Sequence, residues 1–109
     1  MALDADYVLV LCTAPTADVA TELARGLVAE KLAACVNILP KGWSCYVWKD
    51  ELNWSQEFQL LIKTTQGRFG QVQQRVTAMH SYELPEIVSV VIEDASQNYL
   101  DWIDTGVGG

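Results

Sequence analysis

The residues best equipped for chemistry lie in His80-Ser81-Tyr82-Glu83-Leu84-Pro85-Glu86, where an imidazole, a phenol and two carboxylates fall within seven positions. His80 is the single histidine of the chain. An imidazole suits copper or zinc, and the neighbouring Met79 thioether suits Cu(I). Carboxylates beside a phenol suit a cation-bearing ligand or, more plainly, a loop tied to backbone amides. Which of these holds depends on what the rest of the chain brings to the segment.

The hydrophobic pattern supplies the elements. Tyr7 to Cys12 is a short apolar run rich in β-formers, bounded by acids and by Ala14-Pro15, and reads as a buried strand. Thr16 is placed as an N-cap with Asp18 in the first turn. Val19, Leu23, Leu27 and Val28 then mark an amphipathic helix over residues 16–31. Ala34 to Leu39 reads as a strand interrupted by Pro40-Lys41-Gly42 and resumed from Trp43 to Trp48. Lys49-Asp50-Glu51 reads as a polar turn, and Trp54 to Thr65 as the returning strand. Phe69, Val72, Val76 and Met79 predict a second helix, Ile87 to Ile92 a fourth strand, and Tyr99, Leu100 and Ile103 a closing C-terminal helix. Thr105 to Gly109 reads as a loose tail.

The order βαββαβ plus a helix predicts an α+β, ferredoxin-like sandwich with right-handed crossovers, a single domain over residues 1–109. In its usual strand order, 4-1-3-2, the end of the first strand lies beside the start of the fourth and the early part of the third. That topology gathers Cys12, Glu57, His80, Tyr82, Glu83 and Glu86 at one edge of the sheet. Cys12, His80 and Met79 are therefore the metal candidates, and Glu57, Tyr82, Glu83 and Glu86 the ligand-binding candidates. The plainer alternative makes Cys12 a small buried hydrophobe and His80 a helix C-terminal residue favoured by the dipole.

Residues 34 to 48, extended at roughly 3.3 Å each, span about 45–50 Å. A compact domain of this size has a diameter of only about 35 Å. The long hairpin should overshoot its own core, carrying Trp43, Tyr46, Trp48 and Trp54 as candidate interface residues. Apolar surface of this kind is usually covered by a partner.

Five segments, Cys12-Thr13-Ala14-Pro15, Leu32-Ala33-Ala34-Cys35-Val36-Asn37, Tyr46-Val47-Trp48, Ile62-Lys63-Thr64-Thr65 and His80 to Glu86, resemble the CutA divalent-cation-tolerance family in order and spacing. The resemblance runs from about Val8 to Trp102. It implies the same fold, a homotrimer whose long strands pair between subunits, and an association with divalent cation tolerance. It also implies weak copper binding through the matching Cys12 and two adjacent positions, the second His80 and the first Met79 in place of a histidine. Ser81 replaces the family's proline, Val91 stands where a proline is common, and Glu93-Asp94-Ala95-Ser96 lacks the usual glycine. The rival reading is a trimer built like the PII-type signalling proteins, sensing a ligand or acting as a scaffold, with incidental metal binding. Such a module should carry a long flexible loop where this chain has a short polar turn.

Other classes are disfavoured. A net charge of −7 argues against nucleic acid and suits the attraction of cations. No apolar run approaches membrane-spanning length, and Met1 to Asp6 lacks the features of a secretory signal. Cys12, Cys35 and Cys45 have no C-x-x-C spacing and fit free thiols in a reducing cytoplasm. Cys12 and His80 lack a recognisable orienting group for nucleophilic catalysis, so a binding protein is expected rather than an enzyme.

Overall fold

The computed structural model describes residues 7–108; the acidic segment 1–6 and Gly109, which the sequence reading included in the domain and its tail, lie outside the described residues. Strand β1 (Tyr7–Ala14) buries Val8, Val10, Cys12 and Ala14 on alternate positions. Helix α1 (Ala17–Ala29) begins where the Thr16 side chain accepts a hydrogen bond from the Val19 amide at 3.2 Å. It stops two residues short of the predicted end, because Lys31 turns into the left-handed region at φ 61°.

Strands β2 (Cys35–Trp48) and β3 (Glu51–Thr65) form the long hairpin. The turn is tighter than predicted: Lys49 and Asp50 alone make it, both at positive φ, and Glu51 already pairs with Trp48. The predicted interruption at Pro40-Lys41-Gly42 is a register shift between Leu39 and Gly42 inside one continuous strand. Proline offers no amide there, and a bulge absorbs the defect.

A 3-10 turn (Gln66–Arg68) leads into α2 (Phe69–Met79), followed by β4 (Val88–Ile92) and α3 (Gln97–Gly106). The sheet is antiparallel in the order β2-β3-β1-β4, the arrangement expected from the sequence. Helices α1 and α2 close one face over a core of Val8, Val10, Leu23, Leu27, Leu60, Ile62, Val72 and Val76. Each such side chain contributes about 1.5–3 kcal/mol by leaving water.

Helix α3 reaches the strands through residues that alternate away from this core. The Tyr7 hydroxyl donates to Asp104 Oδ2 at 2.6 Å, and the Lys63 ammonium stands 5.6 Å from the Tyr99 ring centroid. Gly106 lies so close to Ala34 that an added Cβ would meet the alanine Cβ at 2.8 Å. The expected loose tail is thus corrected. The helix continues through Gly106, Val107 is buried, and Arg68 donates to the Val107 carbonyl at 2.7 Å.

The molecule measures 44 × 24 × 23 Å, and the hairpin accounts for its elongation as the strand-length argument predicts. Beyond the bulge its two faces differ. Directly paired residues share a face. The pairs Trp43–Gln56, Cys45–Trp54 and Val47–Leu52 make one, and Ser44–Ser55, Tyr46–Asn53 and Trp48–Glu51 the other. On the first face Trp43, Val47, Leu52 and Trp54 are each about two-thirds exposed, at 64–67%. On the second, Ser44, Asn53 and Ser55 are half-buried, and Tyr46 and Trp48 are exposed to only 40% and 38%.

Candidate functional site

His80 ends α2, its backbone swinging into an extended conformation while its amide still donates to the Val76 carbonyl at 2.8 Å. The side chain is buried. Nδ1 accepts from the Tyr82 amide at 3.0 Å, which leaves the ring hydrogen on Nε2. Nε2 donates to the Thr13 carbonyl at 2.6 Å. One imidazole thereby pins the end of β1 to the loop after α2 and sets the direction of Tyr82, whose ring packs 4.8 Å away.

From there the Tyr82 hydroxyl donates to Glu57 Oε2 at 2.5 Å. Burial, followed by this bond to Glu57, raises the phenol well above its ordinary range. Glu57 is itself nine-tenths buried. No cationic side chain among the described residues pairs with it.

Cys12 is fully buried, and its thiol donates to the Thr13 carbonyl at 3.6 Å. Burial and then the Glu86 carboxylate push the thiol up to about 12. Cys12 and His80 are neighbours across Thr13, as the topology predicts, yet both give their hydrogens to that one carbonyl. They do not make a nucleophile and base, because His80 Nε2 is a donor bound to the backbone.

Met79 turns to α1, with its sulfur and terminal methyl 3.4 and 3.3 Å from where a Cβ on Gly26 would lie. In this arrangement Cys12, His80 and Met79 do not offer an open ligand set for copper. Both ring nitrogens are engaged and the thiol is held protonated. Among the described residues, no three His, Cys, Asp or Glu side chains gather closely enough to hold a metal ion.

The four ligand-binding candidates are brought together. Glu57, Tyr82, Glu83 and Glu86 all line a cleft of about 470 Å³ between the loop after α2 and the more covered face of the hairpin. Tyr46 and Trp48, expected at an interface, stand in its wall, while Trp43 and Trp54 are on the opposite, bare face. Thr13, at the strand end that the topology places here, also lines it, as do Ser44, Cys45 and Leu84, none of them among the ligand candidates read from the sequence. The period-two alternation of β2 was the available signal for Ser44, Tyr46 and Trp48; nothing in the sequence marked Cys45.

At the rim, the Lys49 ammonium lies 3.8 Å from Glu83 Oε1 and 5.8 Å from the Trp48 ring centroid. Both members of the ion pair are largely exposed, so it contributes little to stability. Three carboxylates, aromatic faces and one rim ammonium make a cleft chemically disposed toward cations.

Residues 8–106 match the family model described as CutA1 divalent ion tolerance protein. The chain is 45% identical over 100 residues to the divalent-cation tolerance protein CutA of Thermus thermophilus, covering 92% of this chain and 97% of that protein. The solved structure of the divalent cation tolerance protein (Cut A1) from T. thermophilus superimposes with a TM-score of 0.91 at 44% identity, covering 94% of this chain and 99% of that one. A structure described as the periplasmic divalent cation tolerance protein CutA from Archaeoglobus fulgidus gives 0.90 at 38% identity, covering 93% and 98%.

Proposed function

The chain belongs to the CutA1 divalent ion tolerance family, and from that premise we propose that it is a homotrimer whose acidic cleft holds divalent cations weakly and exchangeably, in the service of cation tolerance. The cleft of Glu57, Glu83 and Glu86 is the observation that carries the reading. Because no three ligands converge among the described residues, the carboxylates act on a hydrated ion by charge rather than by chelation, and binding is weak and exchangeable. Assembly is supported by the bare face of Trp43, Val47, Leu52 and Trp54, more apolar surface than a monomer usually leaves open. The PII-like alternative is less well supported, since the two-residue turn leaves no effector loop.

The protein acts by binding rather than catalysis, in line with the tolerance names of its relatives. Three free thiols support a cytoplasmic location. Among the described residues, no helix is long and apolar enough to cross a membrane.

Isothermal titration with Zn²⁺ tests the cleft. Glu83→Gln with Glu86→Gln should weaken binding about tenfold, the equivalent of ~1.4 kcal/mol, with the trimer and its Tm nearly unchanged. A loosened trimer would show the carboxylates to be structural ties and remove the ligand reading. Copper at Cys12, His80 and Met79 requires the ring to release a hydrogen bond and the thiol a proton, so Cu(I) affinity should rise with pH. Competition with a chromogenic Cu(I) chelator, using wild type, Cys12→Ser, His80→Ala and Met79→His, decides it. Equal affinity in all four places copper elsewhere.

A further inference from the structure

Glu57 is a carboxylate nine-tenths buried in the cleft wall, yet its one hydrogen-bonding side-chain partner among the described residues is the neutral phenol of Tyr82. A buried charge without an opposite charge is costly unless something outside supplies one. The rings of Tyr46, Trp48 and Tyr82 line the same cleft, surfaces that attract weakly hydrated organic cations through their π-faces. A small metal ion gains little from such walls.

The rim shows what these walls accept. The Lys49 side chain, a butylammonium group tethered to the hairpin turn, sets its charge between the Trp48 ring at 5.8 Å and the Glu83 carboxylate at 3.8 Å. We propose that the cleft is a site for a small aliphatic ammonium ion, with Lys49 occupying the rim position when no ligand is present and yielding it when one binds. This deepens the cation-binding reading and rests on it. The volume of about 470 Å³ falls in the range of small-molecule sites. The aromatic face recognises the desolvated charge, and the carboxylates accept the N–H groups.

Calorimetric titration of the native assembly with n-butylammonium chloride, against sodium chloride at equal ionic strength, tests this. Wild type should bind the amine, and Lys49→Ala should bind it about 3- to 10-fold more tightly because the internal competitor is gone. Trp48→Leu should bind about 3- to 10-fold more weakly, and Glu57→Gln should also weaken binding. Glu22→Gln, on the exposed side of α1, should match wild type. Since Trp48→Leu could disturb the hairpin, Glu83→Gln provides an independent loss at the same rim. Amine binding indistinguishable from sodium in both wild type and Lys49→Ala overturns the proposal, as does weaker binding by Lys49→Ala. Zn²⁺ is titrated in parallel. If Zn²⁺ binds in dependence on Glu83 and Glu86 while the amine does not, the ammonium inference alone fails. If neither binds, the cation cleft fails with it.

Discussion

The two faces of the hairpin beyond the bulge belong to the same strands, separated only by the alternation of side chains, and they meet different surroundings. One carries Ser44, Tyr46, Trp48, Asn53 and Ser55, mixes polar with aromatic groups, and is half covered. The Tyr46 hydroxyl and Ser55 Oγ even bond across it at 2.7 Å. The other carries Trp43, Val47, Leu52 and Trp54 and is bare. A covered polar-aromatic face suits recognition of a small ligand, whereas a bare apolar one suits a large partner. A single strand pair thus presents two chemically different faces because its side-chain period is two.

The largest effect expected from breaking this division is on assembly. Trp54→Asp places a charge where a partner should cover apolar surface, at about 3–5 kcal/mol if it is buried unpaired. The trimer expected in light scattering at micromolar concentration should then dissociate. Asn53→Asp, one residue away on the other face, should leave assembly intact. A wild-type monomer under the same conditions, or equal dissociation by both variants, would remove the distinction between the faces.

The cleft face should respond in stability rather than in assembly. Tyr82→Phe strips Glu57 of its donor and should cost about 1–3 kcal/mol, several degrees in a thermal melt for a domain of this size, with the oligomer unchanged. An unaltered Tm would show that the Tyr82–Glu57 contact carries no weight.

A smaller effect, absent at neutral pH, concerns the thiol beneath the cleft. The folded state raises Cys12 from 9.0 to about 12, so it keeps a proton that the unfolded chain releases first. Stability from this source is complete below pH 9 and is lost as pH climbs toward 12. Thermal melts from pH 8 to 11 should show a declining Tm that Cys12→Ala makes less steep. An identical slope in the variant would remove Cys12 as a source of the decline.

The architecture was readable because period and polarity suffice for it. The apolar run of β1, helical spacing in Val72 and Val76, and the cap at Thr16 are local signals, and the strand order is the usual one of the ferredoxin-like fold that the element order indicates. The hairpin's overshoot needed only a length and a volume. What escaped prediction depends on where individual groups point. Topology put Cys12 next to His80, but the imidazole's preference for the Thr13 carbonyl and the Tyr82 amide is a matter of a few ångströms that spacing does not encode. The tail was misread because its anchor, Arg68 reaching the Val107 carbonyl, spans 39 positions and leaves no periodic trace. Tyr46 and Trp48 were legible as aromatic residues of the hairpin, but which face they take depends on register. Lys49 in the cleft rim depends on a tight turn made without the glycine that usually marks one.

The Tyr7–Asp104 bond has a consequence for how long the folded state lasts. It closes a span of 97 positions, and bringing such distant groups together costs about 4 kcal/mol of chain entropy when nothing else has ordered them. The bond should therefore form only after β1 has taken its place between β3 and β4. Contacts made after the rate-limiting step of folding act as brakes on its reverse. Tyr7→Phe should accordingly hasten unfolding in stopped-flow denaturant jumps while leaving the refolding rate unchanged; a slowed refolding rate would place the bond in the nucleus instead. The expected brake on unfolding thus sits at the seam where the first strand and the last helix meet, remote from the cleft.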